Sequence, residues 1–162
     1  MYINEDNRMK INLKTSVFLL AIAIGQNAMA AESYSDAVSL NSQRKHVINE
    51  YILDLGKADS EAITALFVDG GTVISTSKGE VLANDFFPSF LPHIEYGNTE
   101  VHQTFLSKGD GNRYAARFHF DFKLKDGEVG DGEYVDEFIF ENNSAKLISV
   151  YMFENLKFKS SN

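Results

Sequence analysis

The second half of the chain alternates apolar and polar residues with a period of two, and this pattern constrains the fold most. In "RYAARFHFDFKL", which begins at Arg113, residues Ala116, Phe118, Phe120 and Phe122 alternate with charged residues and a histidine. Because successive side chains of a β-strand point to opposite faces, the segment predicts a strand with one apolar face and one polar face.

Three further segments predict strands next to this one. They are "EVHQTFLS" at 100–107, "EYVDEFIF" at 133–140 and "KLISVYMFENLKF" at 146–158. The segments between them, "KGDGN", "KDGEVGDG" and "ENNS", are short and rich in glycine or asparagine, as in turns that join neighbouring strands. Four long strands joined in this way favour an antiparallel sheet.

The first half of the chain is helical in pattern. Apolar residues recur at helical spacing over residues 47–55, and Asn41 or Ser42 can cap the start of that helix. Asp59 can cap a second helix, whose apolar side ends at Phe67.

The glycines of "DGG", Asp69 to Gly71, are expected to end the second helix, and Thr72 then begins a first strand. A third, short helix is expected over residues 84–91, with Pro88 tolerated only in its first turn. Helices before strands predict an α+β fold, with three N-terminal helices packed in a mainly antiparallel sheet.

The first thirty residues have the features of an export signal. Lys10 and Lys14 precede the apolar run Ser16 to Gly25, and small residues follow up to Ala30. The run is too short to span a bilayer as a helix. We therefore expect a signal peptide at residues 1–30, cleaved after Ala30.

The rest of the chain is expected to form a flexible segment at 31–41 and a single domain at 42–158. The chain has no cysteine and a net charge of −8 at pH 7. The missing cysteines exclude disulfides and thiolate chemistry, and the acidic charge disfavours nucleic acid as a partner. Export without disulfides indicates a bacterial periplasmic or secreted protein, with no membrane attachment after cleavage.

The order of elements resembles a known superfamily. Residues 51–74, "YILDLGKADSEAITALFVDGGTVI", and 134–153, "YVDEFIFENNSAKLISVYMF", carry the most specific part of the likeness. Over residues 42–158 the chain resembles the nuclear transport factor 2-like superfamily, which includes ketosteroid isomerases and SnoaL-like cyclases. The resemblance implies a strongly curved sheet in a cystatin-like cone, a pocket for a small apolar ligand and a homodimer formed through the sheet.

Asp136 is the most informative single residue. It shares one strand face with Tyr134, Phe138 and Phe140, which are all aromatic. Burial among such residues raises the pKa of a carboxyl unless a cation or several donors compensate. Asp136 is therefore either a functional acid or base in a pocket, or a carboxyl satisfied by neighbouring amides and hydroxyls.

Tyr51 and Asp136 match the pair of hydrogen-bond donors that ketosteroid isomerases use to hold a developing oxyanion. A lone tyrosine on a helical stripe is otherwise a core residue with its hydroxyl bonded. The resemblance places a carboxylate base after the first strand, where this chain has Ser75. A serine hydroxyl is too weak a base for that role, so the usual isomerase chemistry is disfavoured.

His102 stands near the position of a pocket histidine in dehydratase-like and SnoaL-like relatives, and with Asp136 it could form an acid–base pair. The alternative is a surface histidine, because a shift of one residue in the strand reverses the face. His119 alternates with charged residues, which favours a solvated or dimer-facing surface.

The aromatic residues suit a pocket for an apolar or aromatic ligand, and those expected to contact it are Phe67, Phe118, Phe120, Tyr134 and Phe138. No compact metal-binding spacing and no glycine-rich phosphate loop occur, so no metal and no cofactor are expected. The leading hypothesis is an exported ligand-binding protein. The alternatives are a proton-transfer enzyme that uses Tyr51, Asp136 and His102, and a non-catalytic protein-interaction module.

Overall fold

The computed structural model describes residues 36–156, with side chains described as far as residue 153. Contacts within the chain define two units, Met1–Ser39 and Leu40–Asn162. The predicted signal peptide at residues 1–30 lies outside the described residues. Over the described part, no helix is both long enough and apolar enough to cross a membrane.

Helix α1 is described from residue 36 to residue 56. The predicted apolar stripe is confirmed, since Ile48, Tyr51, Ile52 and Leu55 are all buried. The helix already includes residues 36–41, so the expected cap at Asn41 or Ser42 is wrong.

Helix α2 covers only Ser60–Thr64. Its predicted cap is confirmed, because the Asp59 carboxylate accepts a hydrogen bond from the Ala62 amide at 2.9 Å. The extension of this helix to Phe67 was wrong. Strand β1 covers Phe67–Ser75, and Phe67 pairs with Leu147 across the sheet, so tertiary pairing overrides the local helical pattern.

The glycines of Asp69–Gly71 interrupt pairing inside β1 instead of ending a helix. Register shifts between Phe67 and Thr72, and Gly70 has a φ of 74°, a left-handed conformation that glycine adopts without strain. The strand is therefore bulged at its start and regular from Thr72 onward.

A short strand and a helix follow β1. Strand β2, Gly79–Leu82, is largely exposed and was not predicted. Helix α3 covers Ala83–Phe90 and continues into a 3₁₀ turn at Leu91–His93, close to the expected helix. Pro88 lies at the sixth position of α3, so its expected restriction to the first turn was wrong.

Four long strands complete the fold and confirm the period-two pattern. They are β3 (Ile94–Leu106), β4 (Arg113–Leu124), β5 (Val129–Phe140) and β6 (Leu147–Leu156). Strand β5 begins inside the segment predicted as a turn, because Val129 to Gly132 already pair with β4.

The six described strands form one curved, open sheet in the order β2-β1-β6-β5-β4-β3. Strands β1 and β6 are parallel, and the other neighbouring pairs are antiparallel. The structure is therefore α+β with a mainly antiparallel sheet, as predicted. Three α-helices, α1 to α3, lie among the described residues, although α2 is only five residues long.

One face of the sheet is apolar and packs against α1 and α3. The core consists mainly of aromatic and branched residues from these elements, including Tyr51, Phe87, Phe118, Phe138, Phe140, Ile48, Leu91 and Val150. Aromatic side chains bury about 150–250 Å² each, so a core of this kind stabilises a small domain without disulfides.

Arg44 connects α1 by hydrogen bonds to two turns at one end of the sheet. It is 3% exposed, and its guanidinium donates to the carbonyl oxygens of Gly111, Glu141 and Ser144 at 2.7, 2.7 and 2.9 Å. The same group lies 5.4 Å from the centre of the Phe140 ring. Arg44 thus links the middle of α1 to the sheet through hydrogen bonds and a cation–π contact.

The other end of α1 packs on the edge strand β3. A Cβ atom at Gly97 would lie only 2.7 Å from the Gly56 carbonyl oxygen, so the two backbones approach closely only because Gly97 lacks a side chain. The Thr99 hydroxyl donates to the Ile52 carbonyl at 2.9 Å. This bond links the last turns of α1 directly to β3.

Arg44→Leu is expected to lower the free energy of unfolding by about 3 kcal/mol, because it removes the hydrogen bonds from the guanidinium to three carbonyl oxygens. Urea unfolding measured by circular dichroism would show this. The matched control is Arg117→Leu, since Arg117 is 48% exposed and reaches Glu133 only at 3.9 Å. That change is expected to alter stability by less than about 0.5 kcal/mol, and equal effects of the two substitutions would contradict the role of Arg44.

Candidate functional site

A pocket of about 370 Å³ lies between α3 and the apolar faces of β4 and β5. This volume falls near the lower end of the roughly 300–1,000 Å³ typical of small-molecule sites. The exposed residues Ser77, Lys78, Glu128 and Val129 form its mouth, where the β1–β2 and β4–β5 turns contribute to the wall. We call this cavity the aromatic pocket.

Six of the lining residues are aromatic, namely Phe86, Phe90, Phe118, Phe120, Phe122 and Tyr134. Phe118 and Tyr134 stack at 5.7 Å with an angle of 18° between the rings. The Phe122 ring lies over Gly130 on the neighbouring strand. It occupies the space that a side chain at position 130 would need. These flat surfaces suit a ligand with an apolar, ring-containing body.

Asp136 brings a carboxyl into the aromatic pocket. It lies on β5 between Ala116 of β4 and Met152 of β6, and only 1% of it is exposed. The small Ala116 side chain leaves room beside the carboxyl, and Met152 also lines the wall. A polar group at this depth can fix the orientation of an apolar ligand.

Tyr51 lies next to the Asp136 carboxyl but outside the wall of the aromatic pocket. Its ring is fully buried and meets Phe138 and Phe87 edge to face, at 5.1 and 5.9 Å between ring centres. Burial raises the pKa of the Tyr51 phenol well above its ordinary value, and the charge of Asp136 and hydrogen bonding to it raise the pKa further. The phenol therefore stays protonated and faces the carboxyl from within the core.

Of the five residues expected to contact a ligand, three line the aromatic pocket and two lie behind its wall. Phe118, Phe120 and Tyr134 line the aromatic pocket. Phe67 and Phe138 do not lie on its wall, because they pack around the Tyr51 ring at 6.4 and 5.1 Å between centres. They shape the site through Tyr51 without reaching the cavity.

His102 lies on the opposite, outer face of the sheet, so its expected place beside Asp136 was wrong. Val101 pairs with Phe118 and Gln103 with Arg117, which leaves His102 as the extra residue of a β-bulge. Two residues of a bulge oppose one residue of the partner strand, so alternation no longer predicts the face.

The outer face carries a cluster of charged and imidazole groups. Glu133 Oε1 lies 3.3 Å from His102 Nε2 and 3.2 Å from His119 Nδ1, and His119 Nε2 lies 3.1 Å from Asp131. Desolvation raises the pKa of Glu133, but hydrogen bonds to His119 and His102 outweigh it and hold that pKa below its ordinary value. Among the described residues, no group of three or more such side chains is arranged to hold a metal ion.

The comparisons with known proteins concern the fold. No family model and no curated protein sequence matches this chain. Among solved structures, an NTF2-like protein of unknown function from an Exiguobacterium species superposes with a TM-score of 0.56 at 16% identity. That match covers 67% of this chain and 98% of the other.

Two enzymes superpose as well. SalBIII, an epoxide hydrolase/cyclase-like enzyme of pyran ring formation in the polyether salinomycin, gives a TM-score of 0.60 at 18% identity, covering 70% of this chain and 92% of its own. The pinacolase BvnE from Penicillium brevicompactum gives 0.62 at 10% identity, covering 72% and 88%. The chain has the nuclear transport factor 2-like fold.

In this nuclear transport factor 2-like chain, the position expected for an isomerase base is structural. Ser75 is buried, and its hydroxyl accepts a hydrogen bond from the Lys78 amide at 3.2 Å. It shapes the β1–β2 turn and does not line the aromatic pocket. Asp136 is therefore the one buried carboxyl that lines the pocket among the described residues.

Sequence reasoning missed the polar groups at the pocket mouth. Lys78 Nζ donates to the Ser89 hydroxyl at 2.7 Å, and both residues line the wall. These residues lie in a short exposed hairpin and a short helix, where neither period two nor helical spacing indicates a pocket. No feature of the local sequence could have identified them.

The raised pKa of Tyr51 predicts a loss of stability in alkali. The folded state holds this proton more tightly than the unfolded chain, so the stabilisation is complete below about pH 10 and is lost as pH rises further. Above about pH 10 the free energy of unfolding should fall more steeply for the unmodified protein than for Tyr51→Phe, by up to about 1.4 kcal/mol per pH unit. Urea unfolding at a series of pH values measures both slopes.

Tyr96 offers the control, because it is 56% exposed on β3. Tyr96→Phe should follow the pH dependence of the unmodified protein. Identical slopes for Tyr51→Phe and the unmodified protein would show that the phenol is not held protonated by the fold.

Proposed function

We propose that this protein binds a small, mainly apolar molecule in the aromatic pocket and hydrogen-bonds one of its polar groups to Asp136. The observation that carries the proposal is a buried carboxyl on the wall of a cavity that six aromatic residues also line. A buried carboxyl discriminates strongly between ligands, because it is left without that hydrogen bond when the ligand lacks the matching group.

Tyr51 acts in this proposal as a positioning residue. Its protonated phenol faces the Asp136 carboxyl from the core side and so helps to orient the carboxyl, which lines the aromatic pocket. An ionised Asp136 accepts a hydrogen bond from a ligand hydroxyl, whereas a protonated Asp136 donates one to a ligand carbonyl. In either state the ligand's oxygen lies at the buried end of the pocket.

Binding is tested with 2-naphthol and naphthalene, which share an apolar body and differ by one hydroxyl. The chain has no tryptophan, so naphthol fluorescence can be read with little protein background. The unmodified protein is expected to prefer 2-naphthol. Asp136→Leu is expected to reduce that preference about tenfold, the worth of one hydrogen bond to a buried charged group.

Asp121→Leu is the control, because Asp121 lies on the outer face and bonds the Asn98 side chain. It should leave the preference unchanged. Thermal unfolding of both variants confirms that they are folded, which is expected since apolar replacement of a buried charge is often neutral. If the unmodified protein binds neither compound, the proposed function is wrong, and an undiminished preference in Asp136→Leu would exclude Asp136.

A proton-transfer enzyme is the second candidate, and the position of Asp136 on the pocket wall favours it. SalBIII and BvnE share the fold and are enzymes, although likeness at this identity extends to the fold alone. With His102 on the outer face, the chemistry would rest on Asp136. One carboxylate can remove a proton beside a ligand carbonyl and return it to the resulting enolate.

This chemistry is tested with 2-tetralone in heavy water, where proton NMR follows exchange of the hydrogens beside the carbonyl. The unmodified protein should speed the exchange, and Asp136→Asn should abolish the acceleration because an amide is not a base. His102→Ala should leave it intact. No acceleration by the unmodified protein would leave binding without catalysis as the function.

Export and dimerisation belong to the same proposal. Export is supported by the small residues that end at Ala30, and N-terminal sequencing of the protein from a bacterial host would test it. Pairing through the outer face of the sheet is supported by the exposed side chains of Phe105, Val135 and Phe153 there, and sedimentation velocity would test it.

A further inference from the structure

Lys78 places a positive charge at a fixed point of the pocket mouth. Its ammonium group donates to the Ser89 hydroxyl at 2.7 Å and lies 5.4 Å from the centre of the Phe86 ring. Ser89 is itself fixed, because its hydroxyl donates to the Phe86 carbonyl at 2.7 Å. Lys78, Ser89 and Phe86 all line the aromatic pocket, so the charge faces the space that a ligand enters.

Among the residues that the structure describes, none forms an ion pair with Lys78. Among the described residues, no carboxylate oxygen lies within 4.0 Å of Lys78 Nζ, whereas Lys123 and Arg113 on the sheet do have such partners. The contacts of Lys78 are a hydroxyl and an aromatic ring, which are both neutral. In a chain with a net charge of −8, a cation held in this way is available to an anionic group of a ligand.

The remaining charges of the pocket indicate where such an anion would lie. Asp136 occupies the buried end, and Glu128 belongs to the β4–β5 turn at the mouth. Glu128 repels an anion, as does Asp136 when it is ionised, so the favourable position is beside Lys78 on the β1–β2 side of the mouth. The cation–π contact and the bond to Ser89 hold the ammonium there before a ligand arrives, which reduces the entropy lost on binding.

We propose that the ligand of the aromatic pocket is an apolar carboxylic acid, with its carboxylate beside Lys78 and a hydroxyl or carbonyl oxygen at Asp136. This inference rests on the proposed function and adds the chemical class of the ligand. A carboxylate fits better than a phosphate, because Lys78 is the only cationic side chain that lines the pocket among the described residues. Phosphate sites commonly combine several cationic or amide donors.

The test compares 6-hydroxy-2-naphthoate with 2-naphthol, which has the same rings and hydroxyl but no carboxylate. The unmodified protein is expected to bind the hydroxynaphthoate more tightly. In Lys78→Met, the ratio of the two affinities should fall about fivefold, as for a partly exposed ion pair. The difference should also shrink at high salt, because exposed charges are screened.

Two matched variants serve as controls. Lys125→Met makes the same charge change in the β4–β5 turn, at a residue outside the pocket wall, and should leave the ratio unchanged. Glu128→Gln removes a repelling charge at the mouth and should raise the ratio. Thermal unfolding checks that Lys78→Met is folded, which is expected because Lys78 is exposed and the bond from Ser89 to Phe86 persists.

The outcomes separate this inference from the proposed function. If the unmodified protein binds neither naphthol compound, the proposed function fails. If 2-naphthol binds with the expected dependence on Asp136 but the carboxylate adds no affinity, only the acid class of the ligand is wrong. An equal loss in Lys78→Met and Lys125→Met would show a general charge effect and would also overturn the inference.

Discussion

The geometry of the site depends on the hydrogen bonds that the buried Arg44 guanidinium donates. This group joins α1 to the β3–β4 and β5–β6 turns through three carbonyl oxygens, and those turns connect the strands that carry the pocket. A guanidinium is well suited to this position, because its planar donors can reach several acceptors and it is not deprotonated. With α1 fixed at Arg44 and its end packed on β3 at Gly97, Tyr51, two turns after Arg44, lies next to Asp136.

The Tyr51 phenol next to the Asp136 carboxyl affects the hydrogen bonding of that carboxyl. Tyr51 offers Asp136 one neutral donor from the core, and the aromatic rings around it exclude water. Electrostatic interactions strengthen where water is excluded, so a ligand group that matches the carboxyl gains more than it would at the surface. The same surroundings make a mismatch costly, which is why a single buried carboxyl can confer specificity on a largely apolar pocket.

The sequence predicted the long strands and the position of Asp136 on the apolar face of the sheet. Both predictions rest on the alternation of apolar and polar residues, which is kept wherever strand pairing is regular. Phe118, Phe120 and Tyr134 line the pocket as alternation requires, with Asp136 on the same face. The prediction for His102 was wrong because one extra residue in β3 shifts the alternation, and nothing in "TEVHQTF" indicates that bulge. Phe67 was assigned to a helix because its neighbours have helical spacing, while its partner Leu147 lies 80 positions away along the chain. Bulges and long-range pairing are decided by tertiary contacts, which local patterns do not record.

The two turns at the pocket mouth are less constrained by the fold than the sheet is. The sheet requires apolar residues at alternate positions of its inner face, which packs against α1 and α3. The β1–β2 and β4–β5 turns carry no such requirement, and here they contribute Lys78 and Glu128 to the rim of the pocket. Such turns can change charge without disturbing the core. In the proposed function, Asp136 and Tyr51 at the buried end would select the polar group of a ligand, and the mouth would select its charge.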